Sequence, residues 1–295
     1  MVKIILLFIV VVNGIFAIQF IRDFLKNKTD ALKESGHGLF LAGWSVLVFF
    51  LSTFGVSDFA LSTIVYRAKK LIPDKKLPGT LNTQCVVPVA VMALAYIAVI
   101  SVDTVTLVLC IIAQISGAYI GPGIVVKLPV KVIRRFIGTG LMIAAFFIAA
   151  GKAGILPVGG TATALTGSKL MAAIIALFIF GALNNIGIGS YAPTMATIYA
   201  LGMSPAVAFP IMMGACTFSV PIGSMQFIRF GQYGRKITLF ASTFGIIGVL
   251  VAVYVVKRLN VSVLQWVIAL VVLYAGLDIL IKELKMRNHE KPITG

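Results

Sequence analysis

The sequence contains few of the residues on which soluble enzymes depend. Only 12% of its 295 residues are charged, and only nine are acidic. A soluble protein carries about 25% charged and about 45–50% apolar residues, whereas 60% of this chain is hydrophobic and its mean hydropathy is +1.06. This composition excludes an ordinary globular enzyme and indicates a polytopic membrane protein, in which each span needs about 20 apolar residues.

Histidine and cysteine are also scarce. The two histidines, His37 and His289, lie in polar segments, so activation of a serine by histidine is not expected. The acidic residues form no cluster suited to a metal. The three cysteines fall in apolar stretches without a CxxC pair, which argues against disulfides and structural zinc. The sequence therefore predicts that the protein is not an enzyme and has neither a cofactor nor a metal.

Positive charge is the one kind of charge that is abundant. The formal net charge is +16, but the Lys and Arg residues lie in short clusters between apolar runs, which argues against a nucleic-acid partner. Short cytoplasmic loops collect such residues. The segments that hold 20 of the 25 basic residues are 22–37, 67–76, 127–135, 229–236 and the tail from Lys282. Their placement on one side predicts a multi-pass membrane protein in which that side faces the cytoplasm.

Two apolar pieces, residues 39–66 and 170–201, are each interrupted by a polar segment that contains glycine, at 52–58 and 184–190. The two pieces align without a gap when one is shifted by 132 positions. Identical residues in this alignment are Leu51 and Leu183, Gly55 and Gly187, Ala60 and Ala192, Pro73 and Pro205, and Pro78 and Pro210. Apolar composition alone does not explain matched glycines and prolines, so we expect an internal repeat of about 130 residues.

The basic clusters predict how the repeats are oriented. Segments 22–37 and 67–76 lie on one side only if the interrupted piece between them enters and leaves the membrane on the same face. The predicted fold is all-α, with two inverted repeats, each a broken re-entrant helix pair plus three transmembrane helices, and with an extra N-terminal helix. The predicted divisions are 1–37 (N-terminal helix and cytoplasmic loop), 38–151 (first repeat), 169–282 (second repeat) and 283–295 (cytoplasmic tail). The predicted full spans are 77–101, 104–126 and 132–150, then 205–228, 237–256 and 261–281.

The interruptions are the predicted binding site. Unwound backbone inside a membrane lines a cavity or is buried in protein, and the N-terminus of a half-helix favours an anion. Hydroxyls and amides near the breaks are neutral donors suited to oxyanion oxygens, while the glycines permit close approach. The candidate substrate-binding residues are Ser57, Ser62, Asn82, Asn184, Asn185, Gly187, Gly189, Ser190, Tyr191 and Thr194.

Asp58 is the only acidic residue predicted to lie deep in the membrane. Two interpretations stay open: a carboxylate that couples transport to protons, or an N-cap of the second half-helix. Cys85 and Cys216, in the spans that follow the breaks, are candidate thiols of the substrate pathway, although buried cysteines are more commonly small hydrophobic residues.

The sequence resembles the TauE/SafE family of sulfite exporters, also called TSUP. The residues that carry the resemblance are Gly187-Ile188-Gly189-Ser190-Tyr191-Ala192-Pro193-Thr194, Leu201-Gly202 and Leu77-Pro78-Gly79-Thr80-Leu81-Asn82. The resemblance covers about residues 40–282 and implies a multi-pass permease of the inner, cytoplasmic membrane of the cell, for small sulfur-containing anions such as sulfite, sulfoacetate or other organosulfonates. The first repeat departs from the second, because Ser57-Asp58 stands where the second has Gly189-Ser190.

The implied mechanism is alternating access in the lipid bilayer at a midplane site between the two broken helices. Coupled protons are a further expected partner, through Asp58. An anion channel, or a transporter for a small carboxylate without sulfur, would use the same donors, so both alternatives stay open at the level of sequence.

Overall fold

The computed structural model describes residues 2–53, 56–97, 102–133, 161–187 and 189–255, together with isolated positions between 135 and 155. The helices whose bounds lie in these ranges are α1 (Val2–Lys26), α2 (Lys28–Lys33), α3 (Gly38–Thr53), α4 (Asp58–Ala68), α5 (Leu77–Ile97), α6 (Thr104–Val125), α7 (Gly167–Asn184), α8 (Tyr191–Ala200), α9 (Pro205–Arg229) and α10 (Arg235–Val255). The predicted spans 132–150 and 261–281 and the tail lie largely or wholly outside the described residues.

The described part of the chain is all-helical and contains no β-strand. Six of its helices, α1, α5, α6, α7, α9 and α10, are long and apolar enough to cross a membrane. Helix α1 exposes large apolar side chains such as Leu7 (63%) and Phe8 (55%), as a helix facing lipid does. The helices therefore have the lengths and surfaces of a multi-pass membrane protein.

Helices α5 and α9 form the centre of the molecule. The most apolar window of each is 83% buried, and the two helices pack against each other. Helix α1 packs on both, and its Asn13 Nδ2 donates to the Thr217 carbonyl of α9 at 3.1 Å. Helix α10 packs on the other side of α5, and α6 packs on the other side of α9.

The helices that precede the two breaks, α3 and α7, pack against helices that are distant in sequence. Helix α3 lies against α10, and α7 lies against α6. Both contacts are close enough to bring backbones together: a methyl group at Gly181 would overlap the Gln114 carbonyl, and one at Gly248 would overlap the Val46 carbonyl. Glycine is required at these crossings because any side chain would separate the helices.

One end of the molecule, which we call the basic end, gathers residues 22–37, 67–76, 127–131 and 229–236. Polar contacts join these segments across the fold. Asp23 accepts from the Tyr233 hydroxyl at 2.5 Å and pairs with Arg235 Nε at 2.7 Å, and Glu34 Oε2 accepts from the Lys236 backbone N–H at 2.8 Å. Burial and the neighbouring Asp23 raise the pKa of Tyr233, so its hydroxyl stays a donor.

The opposite end brings together residues 102–106, 161–167 and 202–204. The backbone N–H of Asp103 donates to the Thr163 carbonyl at 3.3 Å. Asp103 is also the N-cap of α6, since its carboxylate accepts from the backbone N–H of Thr106 at 2.8 Å and from the hydroxyl at 2.7 Å. These hydrogen bonds lower the pKa of Asp103.

Each interrupted helix pair begins and ends at one end of the molecule. At the basic end, Lys69 Nζ, just after α4, lies 4.7 Å from the ring centre of Phe40 near the start of α3. At the opposite end, Ala162, before α7, exchanges backbone hydrogen bonds with Gly202 and Ser204, after α8. The α3–α4 pair therefore enters the fold from the basic end and the α7–α8 pair from the opposite end.

Candidate functional site

The site is built on the two helix breaks. Helix α3 ends at Thr53 and α4 begins at Asp58, while α7 ends at Asn184 and α8 begins at Tyr191. In the second break the chain turns through Gly187, whose φ of +96° favours glycine. Both interruptions fall inside the segments 52–58 and 184–190 that the sequence predicts.

The two breaks face each other across the centre of the molecule. A methyl group at Gly189 would lie 3.0 Å from Ser57 Oγ and 3.7 Å from Phe59 Cβ. The other walls come from Cys85 near the midpoint of α5 and Cys216 near the midpoint of α9. The breaks therefore meet halfway along the two central helices.

A small cavity lies between these walls. Eight predicted residues line it: Ser57, Asp58, Cys85, Asn184, Gly189, Ser190, Tyr191 and Cys216. Three residues that the sequence analysis did not select, Phe59, Val89 and Val220, complete the lining. Its volume of about 10 Å³ is roughly that needed for one water molecule, so in this conformation the cavity is too small for an anion of several atoms.

Two half-helices present their N-terminal ends to this cavity. Ser57 is the N-cap of α4, because its Oγ accepts from the Ala60 backbone N–H at 3.3 Å. At α8 the Ser190 carbonyl accepts the first helical hydrogen bond from Thr194 N–H at 3.0 Å. The unpaired N–H groups and the positive dipole end at each N-terminus favour negative charge.

The side chains that line the cavity supply neutral hydrogen-bonding groups. Ser190 Oγ and Cys216 Sγ are 3.2 Å apart, and the Tyr191 hydroxyl is buried without a hydrogen-bond partner among the described residues. Among the described residues, the lining includes no Lys, Arg or His. Any attraction for an anion therefore comes from dipoles and donors, and not from a cationic side chain.

Asp58 is the one charged residue among the described residues of the lining. It is 4% exposed, and Ser52 Oγ donates to its Oδ1 at 3.3 Å. Its Oδ2 is buried without a hydrogen-bond partner among the described residues. Because Ser57 caps α4, Asp58 is the first residue of the helix, with its carboxyl group on the cavity.

The Asn184–Asn185 pair divides between two roles. Asn184 lines the cavity, and its Nδ2 donates to Asn82 Oδ1 at 3.0 Å, while Asn82 Nδ2 donates back to the Asn184 carbonyl at 3.2 Å. Asn185 lies outside the cavity lining and donates to the carbonyls of Ala118 and Gly181. Asn82, which does not line the cavity itself, therefore orients Asn184 through these two hydrogen bonds. Asn185 instead joins α7 to α6.

The other predicted residues lie close to the cavity without lining it. Ser62 and Thr194, which are equivalent in the repeat alignment, are fully buried one turn along α4 and α8. The Thr194 hydroxyl has no hydrogen-bond partner among the described residues. Gly187 is buried in the second break.

Gln114 is a polar residue that sequence reasoning missed. It lies on α6, is fully buried, and its Nε2 is 3.1 Å from Ser219 Oγ, 3.4 Å from Cys216 Sγ and 3.5 Å from Ser190 Oγ. A buried amide costs free energy unless it is hydrogen-bonded, so polar residues inside membrane spans commonly mark functional positions. The presence of a Gln inside a predicted span was therefore the sequence signal that could have identified this residue.

The residues around the cavity could bind one small anion through neutral donors and helix N-termini if the two breaks moved apart to enlarge the cavity. Hydroxyl, thiol and amide groups surround it, and a carboxyl group sits on its wall. No known protein-family model matches the chain, and no curated protein gives a significant match.

Proposed function

We propose that the protein is an inner-membrane permease of the TauE/SafE type, which moves small sulfur-containing anions by alternating access between two broken helices. The observation that carries the proposal is the meeting of two half-helix N-termini, those of α4 and α8, at one buried cavity whose described lining has no cationic side chain. Helix ends of this kind bind anions in secondary transporters.

The helix contacts support the proposal of two inverted repeats. The α3–α4 pair begins and ends at the basic end, and the α7–α8 pair at the opposite end. Under exchange of the repeats, α3 corresponds to α7 and α10 corresponds to α6. The contacts α3–α10 and α7–α6 are interchanged by this exchange, and so are the contacts α5–α10 and α9–α6.

Asp58 gives the permease its proposed coupling. Two unit charges 4 Å apart repel each other by about 4 kcal/mol at an effective dielectric of about 20. An anion and an ionised Asp58 in one closed cavity would repel each other strongly, and no cation in the lining compensates. We infer that the anion binds together with a proton on Asp58, so that protons and anions travel in the same direction.

The closed cavity is the conformation expected of a carrier between its two open states, and a gated channel in its closed state would share it. An open channel needs a continuous aqueous path, whereas the space between the two breaks is about 10 Å³. A carrier that exposes the site to one side at a time has to close around it at an intermediate stage.

The testing experiment is uptake of labelled sulfite into proteoliposomes. Sulfoacetate, thiosulfate, sulfate and acetate serve as competitors, with and without a pH gradient that is acidic outside. We expect saturable uptake, counterflow, competition by sulfur anions and stimulation by the gradient. Competition by acetate alone would reassign the substrate to carboxylates, and current without counterflow would indicate a channel.

A further inference from the structure

A second cavity lies at the basic end, separate from the one between the breaks. It has a volume of about 590 Å³ and is lined mainly by the turn that follows α4, with Ser35 and Val130 at its edges. Small-molecule sites commonly have volumes of about 300–1,000 Å³. Among the described residues, three cations, Arg67, Lys70 and Lys75, line it together with one carboxylate, Asp74.

Arg67 is held in place with one nitrogen lacking a partner. Its Nε pairs with Asp74 Oδ1 at 3.1 Å, and the side chains are only 23% and 15% exposed. Its Nη1 is buried and has no hydrogen-bond partner among the described residues. A buried guanidinium nitrogen without an acceptor is costly, and a small rotation of the side chain towards the cavity would let an anionic oxygen satisfy it.

The turn that lines the cavity is the C-terminal cap of α4. Lys70 has a φ of +53°, the only positive value for a residue other than glycine among the described residues, because the helix ends in a Schellman motif: the Leu71 N–H donates to the Tyr66 carbonyl at 2.8 Å and the Lys70 N–H to the Arg67 carbonyl at 3.1 Å. Lys75 Nζ donates to the Leu128 carbonyl at 2.6 Å, which fixes the turn against the end of α6.

The preference for cytoplasmic basic residues explains how many cations the segment 67–76 carries, but not why three of them surround one cavity. Lys69 shows the difference, because it points away and stacks on Phe40. Lys69 and Lys70 are both exposed and are adjacent in sequence. Lys69 is therefore the matched control for Lys70.

The geometry points to a binding site at the basic end for a phosphate or sulfonate group carried on a small organic body. The excess of two positive charges among the described lining residues matches a dianion, the planar Arg67 guanidinium supplies directed donors, and Leu71 and Val130 offer apolar surface to the body. The site goes beyond the proposed transport function and does not depend on it. The group can belong to a soluble compound or to the headgroup of an anionic lipid.

The test uses full-length protein in phosphatidylcholine nanodiscs, with thermal unfolding recorded against increasing glycerol 3-phosphate at constant ionic strength. Ligand that binds the folded state raises Tm in a saturable way. We expect Kd to rise at least tenfold in Lys70→Gln and Arg67→Gln, and to change less than twofold in Lys69→Gln and in Ser190→Ala of the central cavity. Lys70 is exposed, so its variant decides the outcome if Arg67→Gln fails to fold.

A second arm replaces phosphatidylcholine with phosphatidylglycerol. A higher Tm in that lipid, lost in Lys70→Gln and kept in Lys69→Gln, with no further rise on adding glycerol 3-phosphate, would assign the site to the lipid headgroup. The proposal would be overturned if glycerol 3-phosphate did not raise Tm in the first arm and phosphatidylglycerol did not raise it in the second. Equal weakening in Lys69→Gln and Lys70→Gln would also overturn it, because it would show attraction by the whole charged surface.

Discussion

At the scale of single residues, Asp58 makes the sharpest prediction. If its proton travels with the anion, Asp58→Asn keeps a neutral side chain of similar shape and loses the coupling. We expect accumulation driven by a pH gradient to fall at least tenfold, while exchange of labelled for unlabelled anion continues at a rate within about threefold of wild type. Proteoliposome assays of both processes measure the difference.

Asp103 provides the control for this experiment. It is also an aspartate at the start of a helix, but it caps α6 at the opposite end and lies away from the central cavity. Asp103→Asn should keep gradient-driven accumulation. Retention of that accumulation in Asp58→Asn as well would remove the coupling role.

Gln114 is predicted to position Ser190 and Cys216. Gln114→Leu removes the amide that lies within hydrogen-bonding distance of both, so the Ser190 hydroxyl is held only by the Cys216 thiol among the described residues. We expect KM for the anion to rise about five- to twentyfold, the effect of roughly 1–2 kcal/mol in binding, with a smaller change in kcat. Initial rates of uptake at varied anion concentration provide both constants.

Gln226 allows a matched comparison, since its Nε2 also joins two helices, donating to the Tyr119 carbonyl at 2.6 Å near the basic end. Gln226→Leu should leave KM unchanged. A similar rise in both variants would mean that Gln114 acts only through the packing of α6.

At the scale of elements, the crossing of α6 and α7 depends on glycine. Gly181→Ala places a methyl group against the Gln114 backbone, and overpacking of this kind costs about 1–3 kcal/mol. The gain in helix propensity from alanine is about 1 kcal/mol. We expect a lower melting temperature and weaker transport, because α7 leads directly into the second break.

The control is Gly123→Ala on α6, where nothing lies within 4 Å of the added methyl group. It should keep or slightly raise the melting temperature, measured by fluorescence-detected size exclusion after heating in detergent. Equal destabilisation by the two substitutions would contradict the role of the crossing.

Much of the element-level structure was accessible from the sequence because local chemistry determines it. Polar residues and glycine inside apolar runs located both helix breaks, and the length of the apolar runs located α5, α6, α9 and α10 to within a few residues. The sequence did not indicate α2, a short helix in the segment that joins α1 to α3.

The site was only partly predictable, because its lining depends on which parts of distant helices meet. Ser190 and Asn184 lie in a recognisable break, so they were found. Gln114 has no local motif, and it reaches the site only because α6 packs on both α7 and α9. The sequence likewise did not distinguish Asn184 from Asn185, since one residue along a helix end decides which side chain points to the cavity.

At the scale of the whole molecule, the proposed topology places the basic end in the cytoplasm and the opposite end outside. Thr29 and Ser168 are exposed at the two ends, whereas the three native cysteines are buried. We expect a membrane-impermeant maleimide to label Ser168→Cys in intact cells and Thr29→Cys only after permeabilisation. The parent protein is the control for background labelling, and reaction of both variants from one side would refute the inverted arrangement.

The packing of α3 against α10 also means that α3 is synthesised well before the helix that packs against it. About 180 residues separate the end of α3 from the start of α10, and at about 5–20 residues per second their translation takes roughly 10–40 s. During that interval the α3–α4 pair has been synthesised but lacks α10, the helix that packs against α3. The polar break of the pair at first also lacks most of the residues that line the central cavity with it. A chain truncated before residue 235 never acquires this partner, so premature stop codons late in the gene should be as damaging as early ones.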